Sequence, residues 1–276
     1  MPAAARKLDS MDRPFLALDT ETATLGGAPH LIELGAVRVE DGEAVDRFES
    51  FVRPDVAIDA GATAIHGITE DDVRDAPPAR EVLERFTAWA GDDLLAAHNA
   101  GFDARVLGFE YRRAGLRPPP GPFLDSLKLA RRYLPDAPDH RLETLCQWLE
   151  LEGEVHHRAL ADAVACWQVL EECARRSAES TTALLTRCGA PVSIASAGPR
   201  TPRLSPRLRA LEHAVGERAR VTLAYGDDEG TFELPVAPRL LFTLSERGYL
   251  EAECLKTGLL KTYRLDKVRR VFPHGA

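Results

Sequence analysis

The chain has 276 residues, 45% hydrophobic and 28% charged, with a net charge of −8 at pH 7, a composition ordinary for a soluble globular protein of one or two domains. No apolar run approaches the ~18 residues that a membrane span needs, and the opening MPAAARKLDSMDR lacks a secretory apolar core; a cytoplasmic protein with no membrane partner and a short tail over residues 1–13 is expected. Cys146, Cys166, Cys173, Cys188 and Cys254 form no C-x-x-C pair, which argues against a zinc site or a disulfide framework.

Phe15–Asp19 reads as a strand, and Leu31–Val39 and Ala44–Val52 as two more, separated by the turn Glu40-Asp41-Gly42-Glu43. Val82, Leu83, Phe86 and Trp89 have the spacing of an amphipathic helix over residues 78–90. Leu94–Ala97 returns to strand, and Phe102–Ala114 reads as a helix with Val106, Leu107 and Phe109 inward. Arg141–Leu149 and Ala159–Arg176 are further helices. Strands followed by alternating strands and helices argue for an α/β fold, a mixed sheet flanked by helices.

The stretch RCGAPVSIASAGPRTPRLSP is rich in Pro, Gly and Ser and has no amphipathic period. Residues 179–205 are therefore expected to be a flexible linker. Beyond them a short helix near Arg207–Val215 leads into Ala219–Ala224, Thr231–Val236, Leu240–Leu244, Gly248–Glu253 and Leu259–Leu265. Several short strands in so small a span suggest a β-barrel. Charge divides unevenly: residues 1–178 carry 20 basic and 32 acidic side chains, residues 206–276 carry 12 and 10. Such a chain lacks the basic footprint of a tight duplex binder, and a short single-stranded end fits it better.

Asp19 and Glu21 stand two apart at a strand end, so both side chains share a face. Asp103 lies in HNAGFD, and Asp162 falls in the first turn of a predicted helix. Alone, Asp19-Thr20-Glu21 reads more readily as a solvated strand end, and Asp162 as an acid at a helix start. Together they form an oxygen-only set that suits Mg²⁺ or Mn²⁺ rather than zinc. Two-metal phosphodiester cleavage needs carboxylates that hold cations about 3.5–4 Å apart.

Three segments carry a resemblance: Asp19-Thr20-Glu21, His98-Asn99-Ala100-Gly101-Phe102-Asp103, and His157-Arg158-Ala159-Leu160-Ala161-Asp162-Ala163. They resemble the motifs of the DnaQ-like, or DEDDh, 3′–5′ exonucleases, and Ile65-His66-Gly67-Ile68-Thr69 resembles a stretch of the proofreading-subunit branch. The resemblance covers residues 14–178 and implies a ribonuclease H-like fold. It implies two Mg²⁺ (or Mn²⁺) ions held by Asp19, Glu21, Asp103 and Asp162, one of them on Asp19, Asp103 and Asp162 and the other mainly on Asp19. It places the general base at His157 rather than at His156, and Thr20, Thr22, Leu25, His66, Asn99 and Phe102 around the terminal nucleotide. The implied activity releases nucleoside 5′-monophosphates from 3′ ends, of DNA in repair or proofreading, beside a polymerase or repair partner. An RNA-trimming enzyme and a non-catalytic nucleic-acid or ligand-sensing protein are the alternatives.

Residues 206–276 resemble a WYL domain, a small Sm/SH3-like β-barrel, through Val221–Tyr225, Val236–Pro238, Tyr249-Leu250 and Lys261–Asp266. Gly248 stands in the place of the eponymous Trp, and Leu234 in a place often held by Arg. The resemblance implies nucleic-acid contacts at Lys261 and Arg264.

Overall fold

The computed structural model describes residues 11–151, 158–226 and 230–275. The chain divides into two compact units, Met1–Gly198 and Pro199–Ala276. Among the described residues no helix is long and apolar enough to cross a membrane.

The first unit is built on a five-stranded sheet of β1 (Phe15–Thr22), β2 (Leu31–Glu40), β3 (Glu43–Phe51), β4 (Leu94–Ala97) and β5 (Phe123–Asp125). Their order is β3-β2-β1-β4-β5. β1, β2 and β3 run antiparallel, while β1, β4 and β5 run parallel. The β2–β3 turn places Asp41 at φ 52° and Gly42 at φ 80°, the double positive φ that a tight two-residue hairpin requires and that Asp-Gly supplies.

Helices cover both faces: α1 (Ala60–His66), α2 (Glu70–Val73), α3 (Ala79–Ala90), α4 (Gly101–Ala114), α5 (Ser126–Tyr133), α6 (Leu142–Trp148), α7 (Ala159–Ser177), α8 (Thr181–Arg187) and α9 (Ile194–Ala197). β1 is buried on both sides, which explains its nearly continuous apolar run. Phe15 and Ala17 join the core under α5, α6 and α7, with Leu129, Leu145, Val169 and Leu170. Leu16 and Leu18 join the core under α3 and α4, with Leu83, Phe86, Leu107 and Tyr111. This alternation decides where the acids at the end of β1 point.

The expected flexible linker over residues 179–205 is not what the structure contains. α8 and α9 occupy much of it, capped by the Ser180 and Ser193 hydroxyls. Leu184 and Ile194 are fully buried, one in each core, and Ser193 bridges to Pro122. Ser, Pro and Gly here are caps and turns around two apolar anchors. The close approach of α4 and α9 needs glycine, since a Cβ on Gly108 would meet the Gly198 backbone. The expected tail over residues 1–13 also contracts. Met11 is buried, its N–H donates to Glu171 Oε2 at 3.2 Å, and the Asp12 carboxylate accepts from the Thr181 N–H at 2.8 Å. Residues 1–10 lie outside the described residues.

A fragment ending at residue 180 should therefore be much less stable than one ending at 198. Leu184 and Ile194 alone stabilise the unit by about 3–6 kcal/mol, at ~1.5–3 kcal/mol for each buried aliphatic side chain. Urea denaturation of the two fragments checks this; equal midpoints would show that α8 and α9 add nothing.

In the second unit a 3₁₀ turn at Pro206–Leu208 and α10 (Ala210–Gly216) precede β6 (Val221–Gly226), β7 (Thr231–Leu244), β8 (Arg247–Cys254), β9 (Leu260–Arg264) and β10 (Val268–Pro273). Their order is β10-β6-β7-β8-β9, and each strand pairs antiparallel with its neighbours. β9 and β10 form the edges of this antiparallel sheet. The two strands expected over residues 231–244 are one strand with an irregularity between Pro238 and Leu240, a place where a bulge accommodates proline.

Candidate active site

All four acids belong to the first unit, at one end of its sheet. β1 and β4 are parallel, so their carboxyl ends open on the same side, where ligands of α/β sheets are usually bound. Asp19 and Glu21 continue the Phe15–Ala17 face towards α7, and Thr20 continues the Leu16–Leu18 face towards α4. Asp162 stands in the first turn of α7 and Asp103 in the first turn of α4. Each carboxylate thus lies at the positive end of a helix dipole.

One ligand oxygen from each of Asp19, Glu21 and Asp162 can be chosen so that all three lie within 4.8 Å of one another. Asp103 is not in that triple. It is buried and accepts a hydrogen bond from Thr20 Oγ1 at 2.8 Å. Strand alternation sets Glu21 on the face of β1 that carries Asp19, while Thr20, on the other face, holds Asp103. Asp103 still bears on the centre, since among the neighbouring charges its carboxylate acts most strongly on Asp19.

Burial, and then the charges of Asp103, Asp162 and Glu21, hold the Asp19 carboxyl well above the usual carboxylate range. Burial and the charges of Asp162 and Glu33 push Glu21 up to about 8, with Arg158 opposing. Burial pushes Asp103 to about 7 against the Thr20 hydrogen bond. Clustered oxygen donors held towards their neutral forms fit a hard divalent cation, which would replace the protons.

This arrangement sets a pH dependence. A carboxyl whose pKa is raised in the folded protein makes the fold less stable as pH rises from the free value near 4 through about 7 for Asp103 and about 8 for Glu21. The cation-free protein should lose stability across that window, and the rise in Tm on adding Mn²⁺ should be larger at pH 9 than at pH 6. Thermal melts with EDTA or Mn²⁺ check this; an equal shift at both pH values would contradict it.

The HNAGFD segment is shaped by two features. Asn99 adopts φ 66°, a left-handed conformation that Asn tolerates better than most residues, and its carbonyl accepts the Phe102 N–H at 2.8 Å as α4 begins. His98 pairs through Nδ1 with Ser126 Oγ at 2.8 Å and through Nε2 with the His140 carbonyl at 2.9 Å. Facing a carbonyl, Nε2 is the donor and Nδ1 accepts from Ser126. Burial pushes the His98 pKa down. This histidine ties the end of β4 to α5.

The candidate nucleotide contacts separate into two groups. Leu25 and Phe102 are exposed, at 61% and 45%, and Asn99 is exposed beside the turn. Thr20, Thr22 and His66 are buried. Thr20 donates to Asp103, Thr22 donates to the Thr24 carbonyl, and His66 Nδ1 accepts the Ile68 N–H. Ile65, which opens the Ile65–Thr69 stretch, is 52% exposed on α1. The Arg113 guanidinium is drawn inward to Glu110 and the Pro29 carbonyl, both at 2.7 Å. His156 and His157 lie outside the described residues.

Residues 16–170 match the Exonuclease family (RNase_T), more than half of the chain. The chain belongs to that family. Residues 206–273 match the WYL domain. DNA polymerase III PolC-type of Oceanobacillus iheyensis is 42% identical over 166 residues, 60% of this chain and 12% of the relative. The Bacillus subtilis protein of that name is 37% identical over 179 residues, 64% of this chain and 12% of the relative. The exonuclease thus spans only about an eighth of the length of these curated relatives. Among solved structures, Exonuclease X in complex with 5′ overhanging duplex DNA is similar at 32% identity and a TM-score of 0.53, covering 63% of this chain and 99% of that one.

Proposed function

We propose that this chain is a cytoplasmic, metal-dependent 3′–5′ exonuclease that trims DNA 3′ ends and releases nucleoside 5′-monophosphates. The observation that carries the proposal is the convergence of Asp19, Glu21 and Asp162 within 4.8 Å at the end of β1, in a chain of the exonuclease family. Two Mg²⁺ or Mn²⁺ ions, held by these acids with Asp103 beside Asp19, would supply Lewis-acid stabilisation of the charge developing on the phosphate. Thr20 holds Asp103 in place from the opposite face of β1. His157, five residues before Asp162, accepts the proton of the attacking water. The water oxygen bonds to phosphorus as the bond from phosphorus to the penultimate 3′ oxygen breaks; that oxygen takes up a proton from solvent to become the new 3′-hydroxyl, and the phosphate stays on the 5′ carbon of the released nucleoside. Leu25, Phe102 and Ile65, exposed and apolar, offer surfaces against which a base can stack whatever its identity.

The relatives named above are DNA polymerases, and a role beside a polymerase or repair complex rests on that likeness. Matched 5′-labelled single-stranded DNA, duplex DNA and RNA, each with Mg²⁺ and with EDTA, test the substrate. Faster shortening of RNA than of either DNA would overturn the DNA assignment.

For the second unit we propose nucleic-acid binding that helps to hold longer strands. Lys261 is exposed, while Arg264 is forked onto Asp266 at 3.1 and 2.5 Å, which spends part of its charge. Arg200, Arg203 and Arg207 line a cavity of about 500 Å³ in the same unit and add basic groups to it. Removal of residues 199–276 should raise KM on long strands and leave turnover on short ones nearly unchanged, the pattern of lost uniform binding. An unchanged KM at low salt would point instead to a regulatory module.

A further inference from the structure

We infer that Glu33 and Gly35 of β2 are positioning residues that seat the first turn of α7, and with it Asp162, against the end of β1. Neither belongs to the pattern of four acids and a histidine. They stand two apart on one strand and so share a face, the one that continues to Val37 and Val39 under α7. In register, Glu33 pairs with Glu21 and Gly35 with Asp19. The seat is therefore directly beside two of the acids.

Glu33 is fully buried. Its Oε1 accepts from Arg158 Nε at 2.9 Å and Nη2 at 2.7 Å, and its Oε2 accepts the Ala159 N–H at 3.0 Å. The first N–H groups of a helix have no partner within it. Arg158, at the N-cap of α7, makes no side-chain cap bond, so the cap comes from a carboxylate on the neighbouring sheet. Arg158 balances that buried charge through a two-pronged contact, and its guanidinium lies 5.0 Å from the centre of the Phe51 ring.

Gly35 acts by what it lacks. A Cβ there would overlap the Leu160 nitrogen and the Ala159 carbonyl carbon. Strand and helix meet backbone to backbone, with no flexible side chain to yield. Ala159 and Leu160 lie in the same turn as Asp162, and a shift of that turn carries the Asp162 carboxylate with it. A misplacement of about 1 Å at a catalytic centre can cost 10² in rate.

Glu33→Gln and Gly35→Ala in the full chain test the inference, with Mn²⁺ binding by calorimetry, steady-state kinetics on a short labelled strand, and Tm as readouts. Each variant should bind Mn²⁺ about 10–100-fold more weakly, the range for residues that orient metal ligands. Each should lose kcat by about tenfold or more while KM for the strand stays within about threefold. Combined, they should lose far less than the product of the two losses, because both act through one turn. If Gly35→Ala fails to fold, Glu33→Gln carries the test, since it keeps the side-chain volume and leaves a partly exposed guanidinium to water. Variants that lower Tm but match the parent in Mn²⁺ affinity and kcat would overturn the inference and make the seat merely structural. The inference rests on Asp19, Glu21 and Asp162 as cation ligands; a parent protein that binds no Mn²⁺ would refute that reading, whereas a parent that binds Mn²⁺ no better than the variants would refute only the seat.

Discussion

Asp19→Asn should reduce turnover by about 10³-fold or more, since the charge stabilisation of a bound metal is worth several kcal/mol and each ~1.4 kcal/mol is a factor of ten. It should also leave the cation-free protein as stable as the parent at pH 8, or more so. The two effects have one cause. Asp19 is held towards its neutral form by burial and by Asp103, Asp162 and Glu21; Asn keeps the volume and removes one of the repelling charges. Kinetics and a melt in EDTA together separate this from damage to the fold. A variant that lost both activity and stability would point to a structural role, and near-normal turnover would remove Asp19 from the metal site.

His157→Ala should lose about 10²–10⁴-fold in turnover, the usual range for a general base, while His156→Ala stays close to the parent. Only one of the two neighbours has the motif's spacing to Asp162, and the base must be neutral to accept a proton. In the parent, the rate should rise as pH passes the region near 6.5 where an unperturbed histidine loses its proton. The His157→Ala variant should lack that rise. A larger loss from His156→Ala would move the base by one residue, and parent-like activity in both variants would remove histidine from the proton transfer.

The acids could be read from the sequence because each marks the start or end of an element. A strand that ends in Asp-Thr-Glu and helices that begin near Asp103 and Asp162 are local patterns, and the elements that carry them, β1, α4 and α7, fall close to the expected bounds. Glu33 and Gly35 could not be found in that way. In LIELGAV a buried Glu looks like a residue for a solvated strand face, and a Gly looks like a weak point. Only the packing of a helix nearly 125 residues later in the chain gives them work. Composition also misled where it counted residue types and not their positions. Residues 179–205 look like linker because Ser, Pro and Gly are frequent, yet Leu184 and Ile194 sit where two cores need them. Strand alternation, applied one residue further along β1, could have assigned Thr20 to the face opposite Asp19 and Glu21.

The most direct test of a 3′–5′ exonuclease is product analysis on single-stranded DNA carrying a label at its 5′ end. With Mg²⁺ the labelled strand should shorten one nucleotide at a time from the 3′ end, and the released material should be nucleoside 5′-monophosphate. EDTA or Asp19→Asn should stop both. Internal cleavage, 3′-phosphate products, or tight binding of the strand with no hydrolysis would contradict the proposed function, the last of these in favour of a non-catalytic binding protein.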